Sequence, residues 1–306
     1  MIRSAFFLCF LVLLGVNVQA QHSGGVGNQK LKAYQDTLQD LSFKMVNDSL
    51  EPQRYNASYK FIRTLVSALK NPYSFNFPFD SLKAISIQSS SDKRFRIFSW
   101  HVMNADGSYR YYGTVQMNNP DGKLQMFPLV DYSSEFKNPA DSLTTSDKWY
   151  GAQYYRIISV LNNVKTPYYM LLGWKGNNIK STKKVIDIIH FKDNKAYFGM
   201  SVFDGDKENA AKKRVIFEYG RKASMVLNYD SKTTTIIFDH LAPPDDKLKG
   251  RFELYGPDFS YDGYRLVNGR WKLVEDIEVM NQPTDQDDNF NDPKKFKLIE
   301  KLKAEN

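Results

Sequence analysis

The sequence predicts a mainly β protein, an antiparallel meander that forms a barrel-like or sandwich domain, preceded by an N-terminal αα-hairpin. Three observations support this prediction. Two early segments carry apolar residues at spacings of three and four, as one face of a helix does. From about residue 85, runs rich in Val, Ile, Tyr, Phe and Thr alternate with Gly, Asn and Asp turns. These turns are shorter than the crossovers that parallel strands need, so we expect antiparallel pairing.

The first 20 residues have the three parts of a secretory signal peptide. Arg3 supplies a positive start, residues 5–16 are apolar, and Val18 and Ala20 are small residues before a cleavage site. The apolar run is shorter than the about 20 residues of a membrane span. We therefore expect residues 1–20 to be removed, and the mature chain to lack a transmembrane segment. Its expected location is the periplasm, the cell surface or the medium.

Composition excludes several classes of function. The single cysteine, Cys9, lies in the predicted signal peptide, so the mature chain has no disulfide and no thiol nucleophile. The formal net charge is +8, but acidic residues are interleaved with the lysines and no aromatic–basic nucleic-acid pattern is present. We expect no nucleic-acid partner and, in the absence of a cofactor motif, no cofactor.

Residues 21–75 are predicted to hold a polar leader, 21–29, and the helical hairpin. Pro52 lies in the first turn of the second helix, and Pro72 follows its end, where the residue before a proline disfavours helix. We expect the two apolar stripes to pack on each other or on the rest of the protein. The stripes are Leu31, Tyr34, Leu38, Leu41 and Met45 in the first helix, and Tyr55, Tyr59, Ile62, Val66 and Leu69 in the second.

Residues 76–281 are predicted to form the antiparallel β-domain. Asp-Gly and Asn-Gly pairs between its strands accept the positive φ of tight turns. The absence of a repeated strand–helix unit and of a fixed period argues against a doubly wound sheet and a propeller. A sheet this large must close, curl or stack, which leaves barrel and sandwich open. The predicted strands are 95–103, 109–117, 124–130, 151–161, 168–174, 184–191, 195–199, 214–219, 223–229, 233–240, 251–255, 264–267 and 270–277.

Residues 282–306 are predicted to form an acidic linker and a short helix capped by Asp292. Asp285, Asp287 and Asn289 occupy alternating positions that suit calcium ligands. The glycine and glutamate that complete an EF-hand loop are absent, so a solvated linker is the expectation and no metal is predicted.

The segment 171–191, LLGWKGNNIKSTKKVIDIIHF, places glycines before Lys180 and Ser181. A phosphate-binding loop needs G-x-x-x-x-G-K-[ST] between a strand and a helix. Here Ile179 replaces the second glycine, and the residues that follow are typical of a strand. We expect a turn between paired strands, with Trp174 anchored against the β-domain.

This segment, with RVIFEYGRKASMVLNYD, IIFDHLAP and YGPDFSYDGY, resembles a family of exported, β-rich proteins of Bacteroidota. The similarity covers roughly the C-terminal half of the chain and is weaker through FRIFSWHVMNADGSYRYYGTVQM. That family has no established activity, so the resemblance implies no catalytic residue. It implies a Gram-negative exported setting, and marks Gly-Trp-Lys-Gly-Asn-Asn as a special turn.

Carboxylates are densest between residues 239 and 276. Two carboxylates about 5–10 Å apart can perform acid–base chemistry on a glycan, whereas strand ends also collect aspartates for local hydrogen bonds. The sequence contains neither an H-E-x-x-H nor a G-x-S-x-G motif. The candidate catalytic residues are Asp239, His240, Asp258, Asp262 and Asp276.

The aromatic side chains suggest a binding function instead of the carboxylate catalysis considered above. Paired tyrosines place one ring on each face of a strand; most belong to the core, but an exposed set would contact a glycan or another envelope protein. We therefore expect a non-catalytic binding or structural protein of the periplasm or cell surface. A hydrolase that acts on a glycan or related polymer is the alternative. The candidate binding residues are Trp174, Asn177, Asn178, Tyr111 and Tyr169.

Overall fold

The computed structural model describes residues 19–205 and 211–278. Two helices come first, α1 (Gln19–Asn47) and α2 (Glu51–Leu69). Because α1 already begins at Gln19, residues 21–29 belong to this helix and do not form a separate polar leader before it. No helix in the described ranges combines the length and the hydropathy needed to cross a bilayer.

The first sheet follows the helices and has the order β1-β2-β3-β4, with every neighbouring pair antiparallel. A 3₁₀ helix, Ser74–Asn76, lies between α2 and this sheet. The strands are β1 (Ser86–Ser89), β2 (Phe95–Met103), β3 (Tyr109–Met117) and β4 (Met126–Val130).

The central sheet has the order β5-β9-β8-β7-β6, and a further strand, β11, also pairs with β8. All its pairs are antiparallel. Its strands are β5 (Thr144–Thr145), β6 (Gln153–Val160), β7 (Tyr168–Gly176), β8 (Ser181–Lys192), β9 (Lys195–Phe198) and β11 (Val215–Gly220).

The third sheet has the order β10-β15-β14-β13-β12. Its pairs are antiparallel except for a two-residue parallel contact between β10 and β15. Its strands are β10 (Phe203–Asp204), β12 (Leu227–Asp230), β13 (Thr235–Ala242), β14 (Gly256–Val267) and β15 (Arg270–Val274).

The helical hairpin and the three sheets stack as four layers. Successive residues of a strand face opposite sides, so Phe98 on β2 packs on the helices while Ile97 packs on the central sheet. The central sheet is covered on both faces: Leu171 on β7 points to the first sheet and Leu172 to the third. A strand buried on both faces has a continuous apolar sequence, which explains the run Tyr168–Leu172.

The structure confirms the predicted fold class and corrects one predicted strand. The described strands form open sheets that pack face to face and no closed barrel, as the sandwich alternative predicted. Residues 251–255 are not a strand, because two i→i+3 backbone hydrogen bonds, Leu254 N to Arg251 O and Tyr255 N to Phe252 O, close a 3₁₀ helix instead. As a result β14 begins at Gly256, earlier than predicted.

Candidate functional site

A groove of about 840 Å³ opens where the edges of the first and central sheets meet. One wall is the connection between α2 and β1, and others come from β1 itself, from the turn that follows it and from β6. Ser86 Oγ on β1 donates a 2.5 Å hydrogen bond to Tyr154 O on β6 and joins the two edges. The volume falls in the range of small-ligand sites in proteins.

Arg96 on β2 fixes the wall of this groove. Only 2% of the residue is exposed, and its guanidinium group reaches three oxygens. Nε donates to Gln116 Oε1 (2.8 Å), one terminal nitrogen to Phe77 O (2.6 Å) and the other to Ser74 O (2.8 Å). The planar fork of arginine suits such a divided contact, so the wall that contains Ser74–Asn76 is held to the sheet.

The charge of Arg96 has aromatic neighbours but no acidic one. Its guanidinium carbon lies 5.3, 5.3 and 4.8 Å from the ring centroids of Phe75, Phe79 and Phe98. No carboxylate among residues 27–205 and 211–278 forms an ion pair with it. Burial lowers the pKa of Arg96 to about 9. A buried cation without a counter-charge gives the groove a positive potential.

The turn between β1 and β2 adds a second cation to the groove wall. Lys93, a lining residue, has φ of 56°, a conformation that non-glycine residues seldom adopt. Its amide donates to Ser90 O (3.0 Å), and its carbonyl accepts a hydrogen bond from Asn118 Nδ2 (2.9 Å). The neighbouring Asp92 accepts a hydrogen bond from the hydroxyl of the buried Tyr169 (2.7 Å), and this contact holds its carboxylate against the core.

Amide side chains and rings complete the lining. Asn76 is exposed, and Gln88 Nε2 donates to Ser86 Oγ (3.1 Å). Gln153 Oε1 lies 2.8 Å from Nδ1 of His101, while the hydroxyl of Tyr155 donates to a backbone carbonyl (2.9 Å) and so fixes its ring. Amides both donate and accept hydrogen bonds, and rings provide apolar faces, so this lining suits a polar organic ligand.

The predicted catalytic residues do not line this groove, although the structure brings four of them together on β13, β14 and the residues after β15. His240 Nδ1 lies 2.7 Å from Asp258 Oδ2, and the amide of Asp276 donates to Asp262 Oδ1 (3.1 Å). The hydrogen bond with Asp258, helped by the charges of the other two carboxylates, raises the pKa of His240.

A β-bulge explains this cluster. Asp239 pairs with Tyr261 and Leu241 with Pro257, so three residues, 258–260, lie opposite His240 alone. Phe259 in the bulge has φ of 72° and is 95% exposed. Asp258 accepts hydrogen bonds from both the amide and the hydroxyl of Ser260. These contacts show that the carboxylate of Asp258 stabilises the backbone of the bulge.

Asp239 is separated from the other candidates. The residue is buried, and its carboxylate accepts a 2.6 Å hydrogen bond from the amide of Val226. Its position next to His240 on the same strand places the two side chains on opposite faces of the sheet. The five residues therefore do not form a single site.

The Gly-Trp-Lys-Gly-Asn-Asn segment forms the end of β7 and the connection to β8. Asn178 Oδ1 accepts hydrogen bonds from the amides of Lys180 (2.8 Å) and Ser181 (3.1 Å), and Asn177 Nδ2 donates to Ser181 Oγ (2.7 Å). The amides of both asparagines thus close the turn. Strand β8 follows directly, so no helix N-terminus faces Lys180, as a phosphate loop requires.

The aromatic candidates in this region are mostly core residues. Trp174 packs on the rings of His101 and Tyr109, with centroids 5.0 and 5.3 Å away. Tyr111 and Tyr169 are 1% and 0% exposed, so neither belongs to an exposed binding surface. Their hydroxyls are paired inside the protein, which allows large rings to be buried without an unsatisfied polar group.

A serine–lysine contact was not foreseen from the sequence. Nζ of the buried Lys175 lies 2.8 Å from Ser133 Oγ and from the carbonyl oxygens of Tyr150 and Gly151, and burial lowers its pKa to about 7. Such pairs occur in nucleophilic catalysis. Here Ser133 Oγ also contacts Asp131 Oδ1 and Tyr150 O. These contacts occupy the hydroxyl, so the network is a structural clamp.

Metal sites are not apparent in the part of the chain that the structure describes, where no three His, Cys, Asp or Glu side chains could share an ion. The calcium candidates Asp285, Asp287 and Asn289 lie outside the described residues. The sequence reasoning also missed the groove. The one signal of the groove in the sequence is Arg96, a charged residue at an inward position of the apolar run FRIFSWHV.

No family model, curated protein or solved structure matches this chain, so the groove is interpreted from its own residues.

Proposed function

We propose that this chain is an exported, non-catalytic binding protein of the cell envelope, and that the groove takes a saccharide-type ligand. The lining of the groove carries the proposal. Asn76, Gln88 and Gln153 supply donors and acceptors for hydroxyl groups, and Phe75 and Tyr155 supply rings. The N-terminal signal pattern supports export.

The charges in the groove favour binding over hydrolysis. Glycoside hydrolysis uses two carboxylates on either side of the scissile bond, and Asp80 is the one carboxylate among the lining residues. Asp258 lies in the bulge of the third sheet, Asp262 lies in the regular part of β14 and Asp276 follows β15, and none of the three lines the groove. The groove therefore lacks the pair that the hydrolase alternative needs.

A variant that fills the groove tests this function. Ser89 is an exposed lining residue, so Ser89→Trp adds bulk to the groove without disturbing the core. Binding of cellotriose, maltotriose, chitotriose and trigalacturonate is measured by calorimetry. At least one is expected to bind the wild type and to lose affinity in Ser89→Trp.

The matched control is Ser134→Trp, an exposed serine outside the groove, which is expected to bind as the wild type does. Release of reducing ends from the four sugars is followed in parallel, and none is expected. Binding that survives Ser89→Trp, binding of none of the sugars, or sugar cleavage would each contradict the proposal.

A further inference from the structure

The charge balance of the groove is positive. Its lining residues include three cations, Lys83, Lys93 and Arg96, and one carboxylate, Asp80. Neither lysine takes part in an ion pair within the described ranges. Both lysines are exposed, so their charges remain available to a ligand. An excess of one sign in a concave, partly apolar site attracts the opposite sign.

Arg96 is the one of these three cations that is buried, so water does not solvate its charge as it does the charges of the two lysines. Three of its five N–H groups bond to neutral oxygens, those of Gln116, Phe77 and Ser74. The other two N–H groups form no hydrogen bond with the residues that the structure describes. Removing a charge from water is costly unless an opposite charge lies nearby. An anion bound in the groove would supply that charge.

The backbone of Lys93 gives an independent reason to expect a ligand at this turn. Its left-handed backbone is unfavourable for a lysine, and the hydrogen bond from Asn118 to its carbonyl holds it there. Residues held in such conformations by their surroundings cluster at ligand sites. The adjacent acid, Asp92, is engaged by the hydroxyl of Tyr169 and does not pair with Lys93. Lys93 lines the groove and Asp92 does not, so this turn contributes a cation to the groove wall.

We infer that the groove selects an anionic saccharide, one that carries carboxylate groups on its rings. Lys83 and Lys93 face the acid groups, and Arg96 supplies a positive field from the wall. The amides and the rings of Phe75 and Tyr155 contact the sugar hydroxyls and the ring faces, which a small inorganic anion would not use. This inference rests on the proposed function, because it names the ligand class of the same groove.

Calorimetry with three probes tests the inference: trigalacturonate, its methyl ester and inorganic sulfate. The ester retains the sugar rings and removes the negative charges. The wild type is expected to bind trigalacturonate at least about tenfold more tightly than either of the others, as the loss of a charge-assisted hydrogen bond implies. Lys93→Gln is expected to lose about tenfold in affinity for the acid and to bind the ester as before.

Lys137→Gln provides the control, since it removes the same charge from an exposed lysine that does not line the groove. It is expected to bind trigalacturonate as the wild type does. Equal affinity for the acid and the ester, or no binding of the acid, overturns the inference. In that case the proposed function is tested by the binding of the neutral trisaccharides cellotriose, maltotriose and chitotriose. Sulfate that binds as tightly as trigalacturonate overturns the saccharide assignment, because the charge alone would account for affinity.

Discussion

Arg214 and Asp187 form an ion pair with Nε 3.0 Å from Oδ1, and neither side chain is exposed to solvent. Tyr154 donates its hydroxyl proton to the second oxygen of the carboxylate (3.0 Å). A terminal guanidinium nitrogen donates to the carbonyl of Ser142 (3.0 Å), in the connection before β5. The pair therefore joins the middle of β8 to two segments that are distant in sequence.

Asp187→Asn is expected to destabilise the protein by about 3–5 kcal/mol, because it leaves the arginine charge buried and unpaired. The midpoint of urea unfolding measures this loss. Asp246→Asn is the matched control: its partner Lys249 lies 3.0 Å away, but both side chains are largely exposed, so no measurable change is expected. Equal effects of the two substitutions would show that burial does not set the strength of the Asp187 pair.

Lys175 is expected to make stability depend on pH. Burial lowers its pKa from 10.5 to about 7, with Lys183 and Arg214 acting in the same direction and Asp131 opposing it. Between these values the unfolded chain binds more protons than the folded one, so stability rises with pH.

The comparison with Lys175→Met isolates this contribution, because the variant lacks the titrating group. Urea unfolding of both proteins from about pH 6 to about pH 9 is expected to favour the wild type increasingly above pH 7. The gain is up to about 1.4 kcal/mol per pH unit. A constant difference between the two proteins across the range would mean that Lys175 keeps an ordinary pKa when folded.

Gly176→Ala is expected to cost about 1–3 kcal/mol through overpacking. A Cβ placed on this glycine would overlap the ring of Tyr109 and lie 2.7 Å from the ring of Trp174. The backbone of Gly176 is not in the left-handed region, so close packing and not φ explains the residue. Thermal unfolding measures the cost. In the control Gly256→Ala the nearest atom lies 3.9 Å away, and similar melting shifts for both variants would contradict the packing argument.

Cleavage near Gln21 is expected when the full chain is produced in a Gram-negative host. N-terminal sequencing of the protein from the periplasm or the medium identifies the first residue. Because Cys9 is removed with the signal, the mature protein is also expected to react with no maleimide. An intact Met1 in the membrane fraction would contradict export as a cleaved protein.

Local patterns predicted the elements well. The three- and four-residue spacing from Leu31 to Met45 identifies the first helix, and nearly all strand runs lie close to observed strands. Turn chemistry explains this success: Asp193 and Asn194 both adopt the left-handed conformation between β8 and β9, as these residue types allow. Such signals depend only on neighbouring residues.

The arrangement of the sheets and the groove could not be predicted in the same way. The groove joins Asn76, Lys93 and Gln153, which are brought together only when the edges of two sheets meet. The bulge at 258–260 depends on its register with β13. The burial of Tyr111 and Tyr169 depends on which layer covers each strand face. These features depend on packing between residues that are distant in the chain, and the periodicity of the sequence carries no information about such packing.

Strand β8 has one long edge that two different partners share, and this division bears on the order of assembly. Strand β9 is joined to β8 by a tight turn, and such hairpins form in about 1–10 μs. Strand β11, Val215–Gly220, follows β9 in the chain, so we expect the edge at Ser181–Ile186 to be unpaired until β11 joins it.

An unpaired strand edge can pair with another chain and cause aggregation, and a lysine on the edge opposes this. Lys183 lies in this half-edge and meets Glu218 of β11 across the sheet at 3.1 Å. We therefore expect the charge of Lys183 to oppose aggregation of the unpaired edge and then to favour the observed register of β11, in which Glu218 lies opposite it.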